Sequence, residues 1–264
     1  MTNINTIAKV FSVFAFLIMV SVNALANLLP LNGVTTGELS NMYPTLITPA
    51  AYTFLIWIII YLLLFSFTIY QLEFAAGKRK LSSNLADFIR GFYIVSCLCN
   101  AVWIFAWHYK YIALSLVLMV TLFICLGFMY KLLYEEELSL GEKIFIRLPF
   151  SIYFGWITVA TVTNVAALLV SIRWSGFGIT RSVWAIITAI GIFVYASYIT
   201  LKNSSLAYTA TVIWAFLGLV VKHTAQNELN GKYPNVIIAL IACIGVLVLE
   251  MGYCIVIKKR LGNK

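Results

Sequence analysis

Hydrophobic residues occur in long runs along this chain, separated by short polar segments. One run begins at Thr48-Pro49 and continues to about Tyr70. A helix of that length crosses the ~30 Å hydrocarbon layer of a bilayer at ~1.5 Å per residue. Thr48 is a residue type that caps helix N-termini, and Pro49 suits a first turn, where no backbone donor is needed. The pattern therefore predicts a membrane-spanning helix that starts at Pro49.

The same pattern recurs along the whole chain and predicts an all-α fold, a polytopic transmembrane bundle of about eight helices. The long connection 30–47 contains one acidic residue and no basic residue, and we expect it to cover the bundle as a lid. The acidic run Glu135–Glu137 is predicted to be solvated. The predicted spans are 10–29, 49–70, 91–107, 111–133, 149–172, 183–201, 206–221 and 234–257.

The composition agrees with a protein whose solvent is mostly lipid. Hydrophobic residues make up 62% of the chain and charged residues only 10%, and the mean hydropathy is +0.98. A soluble domain could not cover this much apolar surface. The small-residue segment Asn23-Ala-Leu-Ala26 resembles a signal-peptidase site, so cleavage after the first span stays open as an alternative to retention.

Membrane topology explains the net charge of +9 better than nucleic-acid binding does. With a cytoplasmic N-terminus, 13 of the 18 Lys and Arg residues fall on the cytoplasmic side and five on the outer side. This bias predicts that both termini are cytoplasmic. The expected location is a bacterial cytoplasmic membrane. The inner set is Lys9, Lys78, Arg79, Lys80, Arg90, Lys131, Lys143, Arg147, Lys202, Lys258, Lys259, Arg260 and Lys264. The outer set is Lys110, Arg173, Arg181, Lys222 and Lys232.

Amide side chains inside the predicted spans are the first candidates for a site. Asn23, Asn100 and Asn164 lie at similar depths from the outer face. A polar group in lipid is costly unless it forms hydrogen bonds, so each Asn indicates either a bond between helices or a polar position in a cavity. The matching depth favours a shared cavity.

Aromatic residues accompany these amides. Phe54, Trp57 and Tyr61 have the spacing of a single helical stripe, and Trp103 lies one turn from Asn100. In span 5, Trp156 and Ala160 share a face with Asn164. The stripe favours either packing between helices or an aromatic wall of a ligand site, and the sequence leaves both open.

Other candidates have simpler interpretations. Glu250, inside span 8, is predicted either to extend toward Lys258, to pair with another residue, or to act as a proton site. Trp107, Trp174 and Trp184 lie at span ends and are predicted to be interfacial. The five cysteines lie in apolar runs without CxxC spacing, and neither His108 nor His223 has a neighbouring ligand. We therefore predict no metal site and no disulfide framework.

Three motifs resemble the tryptophan-rich sensory protein family, also called the translocator protein or TspO family. They are Pro49, Tyr52, Phe54, Trp57 and Tyr61 on helix 2; Asn100 and Trp103 on helix 3; and Pro149, Trp156, Ala160 and Asn164 on helix 5. The resemblance covers about 8–172. Ala50 stands in place of a second proline and Tyr52 in place of the usual tryptophan. The resemblance implies a TspO-like five-helix segment, 1–172, followed by an additional three-helix segment, 173–264.

The resemblance also implies a function. The expected activity is binding of a planar apolar ligand, a tetrapyrrole or a sterol-like molecule, in a cavity within the bundle, with transport or sensing as its consequence. No cofactor is required, and no catalytic residue is assigned. The expected partners are the lipid bilayer, the ligand and a second copy in a homodimer, with no nucleic acid. The alternatives are a proton-coupled transporter that uses Glu250 and a membrane enzyme that degrades its ligand.

Overall fold

The computed structural model describes residues 2–29, 31–72 and 81–262, with side chains described in 6–29, 31–72 and 81–257. Some residues named in the sequence analysis are not within these ranges. The following lie outside the described residues: Pro30, Lys78, Arg79, Lys80, Lys264 and the side chains of Lys258, Lys259 and Arg260.

The regular elements of the described residues are all helical. The prediction of an all-α fold with eight spans is confirmed, since eight stretches of the described residues are long and apolar enough to cross a bilayer. The α-helices are α1 (Thr2–Leu28), α2 (Thr36–Asn41), α3 (Ile56–Gln71), α4 (Ser83–His108), α5 (Ile112–Glu135), α6 (Leu140–Glu142), α7 (Leu148–Ser171), α8 (Arg181–Asn203), α9 (Leu206–Thr224) and α10 (Pro234–Gly262). The candidate spans are Thr6–Leu28, Ala51–Gln71, Ser83–His108, Ile112–Glu135, Leu140–Ser171, Arg181–Asn203, Leu206–Thr224 and Pro234–Ile257.

The start of the second span differs from the prediction. Thr48 does not cap a helix, because its hydroxyl pairs with that of Thr45 at 2.7 Å. A 3₁₀ helix, Ala51–Leu55, comes first, and α3 begins only at Ile56. The Ala50 N–H donates to the Gly218 carbonyl at 3.1 Å. This contact, remote in sequence, ties the segment before the 3₁₀ helix to α9.

The start of the fifth span also differs. Pro149 was predicted to begin it, but the candidate span already begins at Leu140, after a Ser139–Glu142 capping box. A π-helical turn, Lys143–Arg147, joins the two parts. Proline clashes with the carbonyl four residues before it in a regular α-helix, and the wider turn accommodates Pro149 without ending the helix. The acidic run that precedes this span is exposed at Glu135–Glu137, as predicted.

The contacts group the chain into two compact units. The first contains the residues up to Met42 together with Leu55–Ile157. The second contains Tyr43–Phe54 together with the residues from Thr158 onward. The predicted boundary at 172 divides the spans by their order along the chain, whereas these units group residues by spatial contact. That boundary stays a prediction.

In the first unit, α4 packs against both α1 and α5, and α1 also contacts α3. Phe67, Tyr93 and Phe150 meet edge to face, with ring centroids 4.9 to 5.9 Å apart. Edge-to-face contacts are favourable because the positive edge of one ring faces the negative face of another. The Tyr93 hydroxyl bonds with Thr68 at 2.8 Å, so this buried polar group has a partner.

In the second unit, α10 packs against α8 and α9. The buried stripe of α8 contains Ala185, Ala189 and Ala196. Small side chains let membrane helices approach closely, which stabilises them through van der Waals contact. Thr200 of α8 also pairs with Thr209 of α9 through their hydroxyls, at 2.6 Å.

The first part of the long connection is fixed to the end of α4 within the first unit. Both ring nitrogens of the buried His108 are engaged: Nδ1 lies 3.0 Å from the Leu31 carbonyl and Nε2 lies 3.0 Å from the Thr36 hydroxyl. A carbonyl can only accept, so Nδ1 donates to Leu31. The Asn32 amide donates to the His108 carbonyl at 3.0 Å. Whether this connection closes a ligand site, as a lid would, stays a prediction.

Candidate functional site

Five aromatic rings of the first unit form a cluster, with Trp57 in contact with the other four. Trp57 stacks on Tyr61, four residues later on α3, with centroids 5.5 Å apart and an interplanar angle of 17°. The Trp103 ring lies 6.5 Å away on α4, and the Tyr153 and Trp156 rings of α7 lie 6.0 and 6.1 Å away. Trp103, Tyr153 and Trp156 are buried, whereas Trp57 and Tyr61 are partly exposed. The last two rings therefore form the accessible face of the cluster.

A chain of hydrogen bonds lies beside these rings. Asn23 of α1 donates to the side-chain oxygen of Asn100 on α4 at 2.7 Å. Asn100 in turn donates to the Tyr153 hydroxyl at 3.0 Å. The similar depth predicted for Asn23 and Asn100 therefore corresponds to a direct contact that connects three helices. This is the packing role that the sequence analysis left open for each amide.

The Trp103 indole and the Tyr61 hydroxyl lack such a partner among the described residues. The Trp103 Nε1–H is buried and forms no hydrogen bond to any residue that the structure describes. The Tyr61 hydroxyl lies near Asn100, but no hydrogen bond of good geometry joins the two groups. A buried donor without an acceptor costs about 1–3 kcal/mol, so native structures rarely contain one without a reason. An acceptor on a bound molecule would satisfy the Trp103 indole.

Four of the predicted site residues belong to the second unit. Tyr52 meets Trp214 edge to face at 5.6 Å, and the Trp214 indole donates to the Thr53 carbonyl at 3.0 Å. Asn164 is buried and Ala160 is partly buried, both on α7. Phe54 lies in the 3₁₀ helix, before α3 begins, so the expected α-helical stripe of Phe54, Trp57 and Tyr61 is wrong at its first member. The ligand contacts predicted for these residues stay predictions.

The prediction that Trp107 is interfacial is wrong. Trp107 is 5% exposed and stacks on Trp103 with centroids 6.0 Å apart. Its indole donates to the Thr36 carbonyl at 3.4 Å, so the first part of the long connection covers it. Tyr153 was missed in the sequence, since a tyrosine within an apolar run has no spacing that distinguishes it from packing residues.

Glu250 of α10 is a second unusual group. Its Oε2 atom is buried and has no hydrogen-bond partner among the described residues. The Ser197 hydroxyl of α8 is also buried without a partner in the described part of the chain. One turn beyond Glu250, the Cys254 thiol lies 3.6 Å from the Thr200 carbonyl, where α10 contacts α8. The predicted partner, Lys258, has a side chain outside the described residues.

The second histidine, His223, fixes the second part of the long connection within the second unit. Its Nε2 atom donates to the Leu46 carbonyl at 2.9 Å. The described residues contain no group of three or more His, Cys, Asp or Glu side chains that could hold a metal ion.

The eight hydrophobic helices define this protein as an integral membrane protein of the polytopic helical class. Its sequence matches the family of TSPO-like proteins over residues 9–253, and the chain belongs to that family. The match extends past the resemblance at 8–172 and reaches from the first span into the eighth. No curated protein and no solved structure matches the chain.

Proposed function

We propose that this TSPO-like membrane protein binds a planar, mostly apolar ligand, a tetrapyrrole or a sterol-like molecule, at the aromatic cluster of its first unit. The observation that carries the proposal is the buried Trp103 indole, which has no acceptor among the described residues and lies beside Trp57. The stacked Trp57 and Tyr61 rings supply a flat, partly exposed surface for the ligand. A flat apolar surface with a small number of oriented polar groups is typical of small-molecule sites.

The test is quenching of intrinsic fluorescence in detergent-purified protein by protoporphyrin dimethyl ester, a planar tetrapyrrole without charge. Trp57→Phe and Trp156→Phe should each weaken binding about 2- to 12-fold, as aromatic contacts of ~0.5–1.5 kcal/mol predict. Trp103→Phe should weaken it as well, since it removes the donor. Asn164→Leu tests the additional amide predicted from the sequence.

Trp174→Phe is the matched control, because it also removes one tryptophan but lies in the second unit. It should bind the probe as the wild type does. Unchanged affinity in the Trp57, Trp103 and Trp156 variants would refute the proposal and leave the cluster as packing. Equal losses in the control would mean that the substitutions destabilise the protein generally.

A second function, proton-coupled transport of a small molecule, is favoured by one observation, the buried and unpartnered Glu250 oxygen. A carboxyl group in this position can take up and release a proton without breaking an existing hydrogen bond at that atom. Glu250→Gln should then abolish pH-dependent uptake into vesicles while the melting temperature stays unchanged. Uptake that is unaffected by the substitution would exclude Glu250 as the proton site.

The proposed arrangement in the membrane has both termini in the cytoplasm, with a homodimer as the assembled form. A reporter that is active only in the cytoplasm should work when fused after Leu81 or Lys264 and fail when inserted in 33–45. Cytoplasmic activity of the 33–45 insertion would reverse the orientation. The mass of the purified complex, after correction for detergent, tests the homodimer.

A further inference from the structure

A cavity lies in the second unit, where α7 ends and α8 begins, and its volume is about 470 Å³. Its walls come from the segment 44–47, the last turns of α7, the connection 172–180 and the first two turns of α8. Clefts of about 300–1,000 Å³ are typical of small-molecule sites. The cavity lies between candidate spans Leu140–Ser171 and Arg181–Asn203, so it belongs to the ends of the spans and not to their centres.

Two tryptophans give this cavity an aromatic wall. The Trp174 and Trp184 rings lie 5.1 Å apart. The Trp184 indole donates to the Gly176 carbonyl at 3.0 Å, which fixes the orientation of its ring. Ile47 and Leu169 add apolar surface. Together these side chains can cover an extended apolar body.

Two arginines, Arg173 and Arg181, line the same cavity. Neither forms an ion pair with a described acidic residue, and no acidic residue lines the cavity. The guanidinium group presents its donors in a planar fork that matches a carboxylate or a phosphate, and it keeps its charge at every physiological pH. Two such groups at one cavity make it complementary to an anion.

The backbone at Arg173 has the geometry of a residue that ends a helix. Arg173 has a φ of 56°, a left-handed conformation that glycine and asparagine adopt more readily. Its N–H bonds to the Val170 carbonyl at 3.0 Å, which ends α7. The end of α7 therefore fixes the backbone of Arg173 at the cavity wall.

We propose that this cavity binds an amphiphile with an anionic head and an apolar body. Arg173 and Arg181 hold the carboxylate or phosphate of the head, and the apolar body packs against Trp174 and Trp184. The head can come from an anionic phospholipid of the bilayer or from a free amphipathic carboxylate, since both present the same chemistry. The inference uses residues of the second unit alone and does not depend on the ligand of the aromatic cluster.

The test is native mass spectrometry of delipidated protein, in which each adduct is identified by its mass. Dioleoyl phosphatidylglycerol is compared with dioleoyl phosphatidylcholine, which carries no net charge, and oleate is compared with methyl oleate. The wild type should bind the anionic member of at least one pair about tenfold or more tightly than the neutral member. Preference in the first pair identifies a lipid, and preference in the second pair identifies a free carboxylate.

The variants Arg173→Asn and Arg181→Gln should each reduce anionic binding about tenfold and leave neutral binding unchanged. Asparagine tolerates the left-handed backbone, so Arg173→Asn removes the charge without added strain. Lys110→Gln is the control, because Lys110 is an exposed cation that does not line this cavity. Equal binding of charged and neutral probes by the wild type, or full anionic binding by both arginine variants, would overturn the proposal.

Discussion

Gly218 of α9 offers a sharp test of how the second unit packs, through the substitution Gly218→Ala. A Cβ atom at this position would lie 2.9 Å from the Thr53 Cβ atom and closer still to the Thr53 hydroxyl. Thr53 is fully buried, and the Ala50 N–H donates to the Gly218 carbonyl at 3.1 Å. The segment 50–53 therefore cannot move away without breaking that hydrogen bond.

The expected cost follows from three contributions. Overpacking a well-packed contact costs about 1–3 kcal/mol. A weakened Ala50–Gly218 hydrogen bond adds about 0.5–1.5 kcal/mol. Alanine in place of glycine in a helix gains back about 1 kcal/mol. The net destabilisation is about 2 kcal/mol, which lowers the melting temperature by about 4–8 °C in a chain of this size.

The assay is thermal unfolding in detergent with a dye that becomes fluorescent on reaction with thiols. Cys243 and Cys254 are buried in the second unit and become reactive when it unfolds. Gly191→Ala in α8 is the matched control, because no atom lies within 4 Å of its added Cβ atom. Combining Gly218→Ala with Thr53→Gly should recover much of the loss. A melting temperature for Gly218→Ala equal to that of Gly191→Ala would refute the close contact.

Two further predictions concern the long connection. The pKa of Glu38 is lowered because its carboxylate accepts hydrogen bonds from the Thr35 N–H and hydroxyl. The ionised carboxylate therefore stabilises the fold at a pH above its unfolded-state pKa, and this stabilisation is lost as the pH falls through its folded-state pKa. When the pH is lowered from about 5 to 3, the amides of residues 36–41 should lose more protection from hydrogen exchange in the wild type than in Glu38→Gln. Wild-type protection that is the same at both pH values would contradict this prediction. His108→Phe leaves the Leu31 carbonyl without its donor and should destabilise the connection by about 1–3 kcal/mol. Unchanged exchange of its amides would show that His108 does not hold it.

The spans could be predicted from sequence because bilayer thickness fixes their length and lipid excludes polar residues from most of each span. Their first turns could not. The segment before the 3₁₀ helix is tied by a hydrogen bond from Ala50 to Gly218, 168 residues further along the chain, and no local pattern encodes that contact. A proline after a polar segment usually marks the first turn of a helix, but here a π-helical turn precedes Pro149 and the span begins earlier.

The candidate site was predictable where helical spacing alone determines a contact. Trp57 and Tyr61 are four residues apart and stack, as residues on one helix face do. The contact between Asn23 and Asn100 was suggested by their matching depth. The role of Trp184 was not predictable, because a tryptophan at a span end is typical of an interfacial belt. Only the fold brings its ring to a cavity with two arginines.

The arginines of that cavity also affect the argument for orientation. Arg173 and Arg181 are two of the five basic residues on the predicted outer side. A role in ligand binding would explain their positions in the cavity independently of the orientation of the protein in the membrane. Arg90 and Arg147 on the inner side have local roles as well, in an ion pair with Asp87 and in hydrogen bonds to the carbonyls that end α5. Without these four residues the distribution is 11 inner and three outer. The charge bias that predicts cytoplasmic termini therefore does not depend on these four arginines.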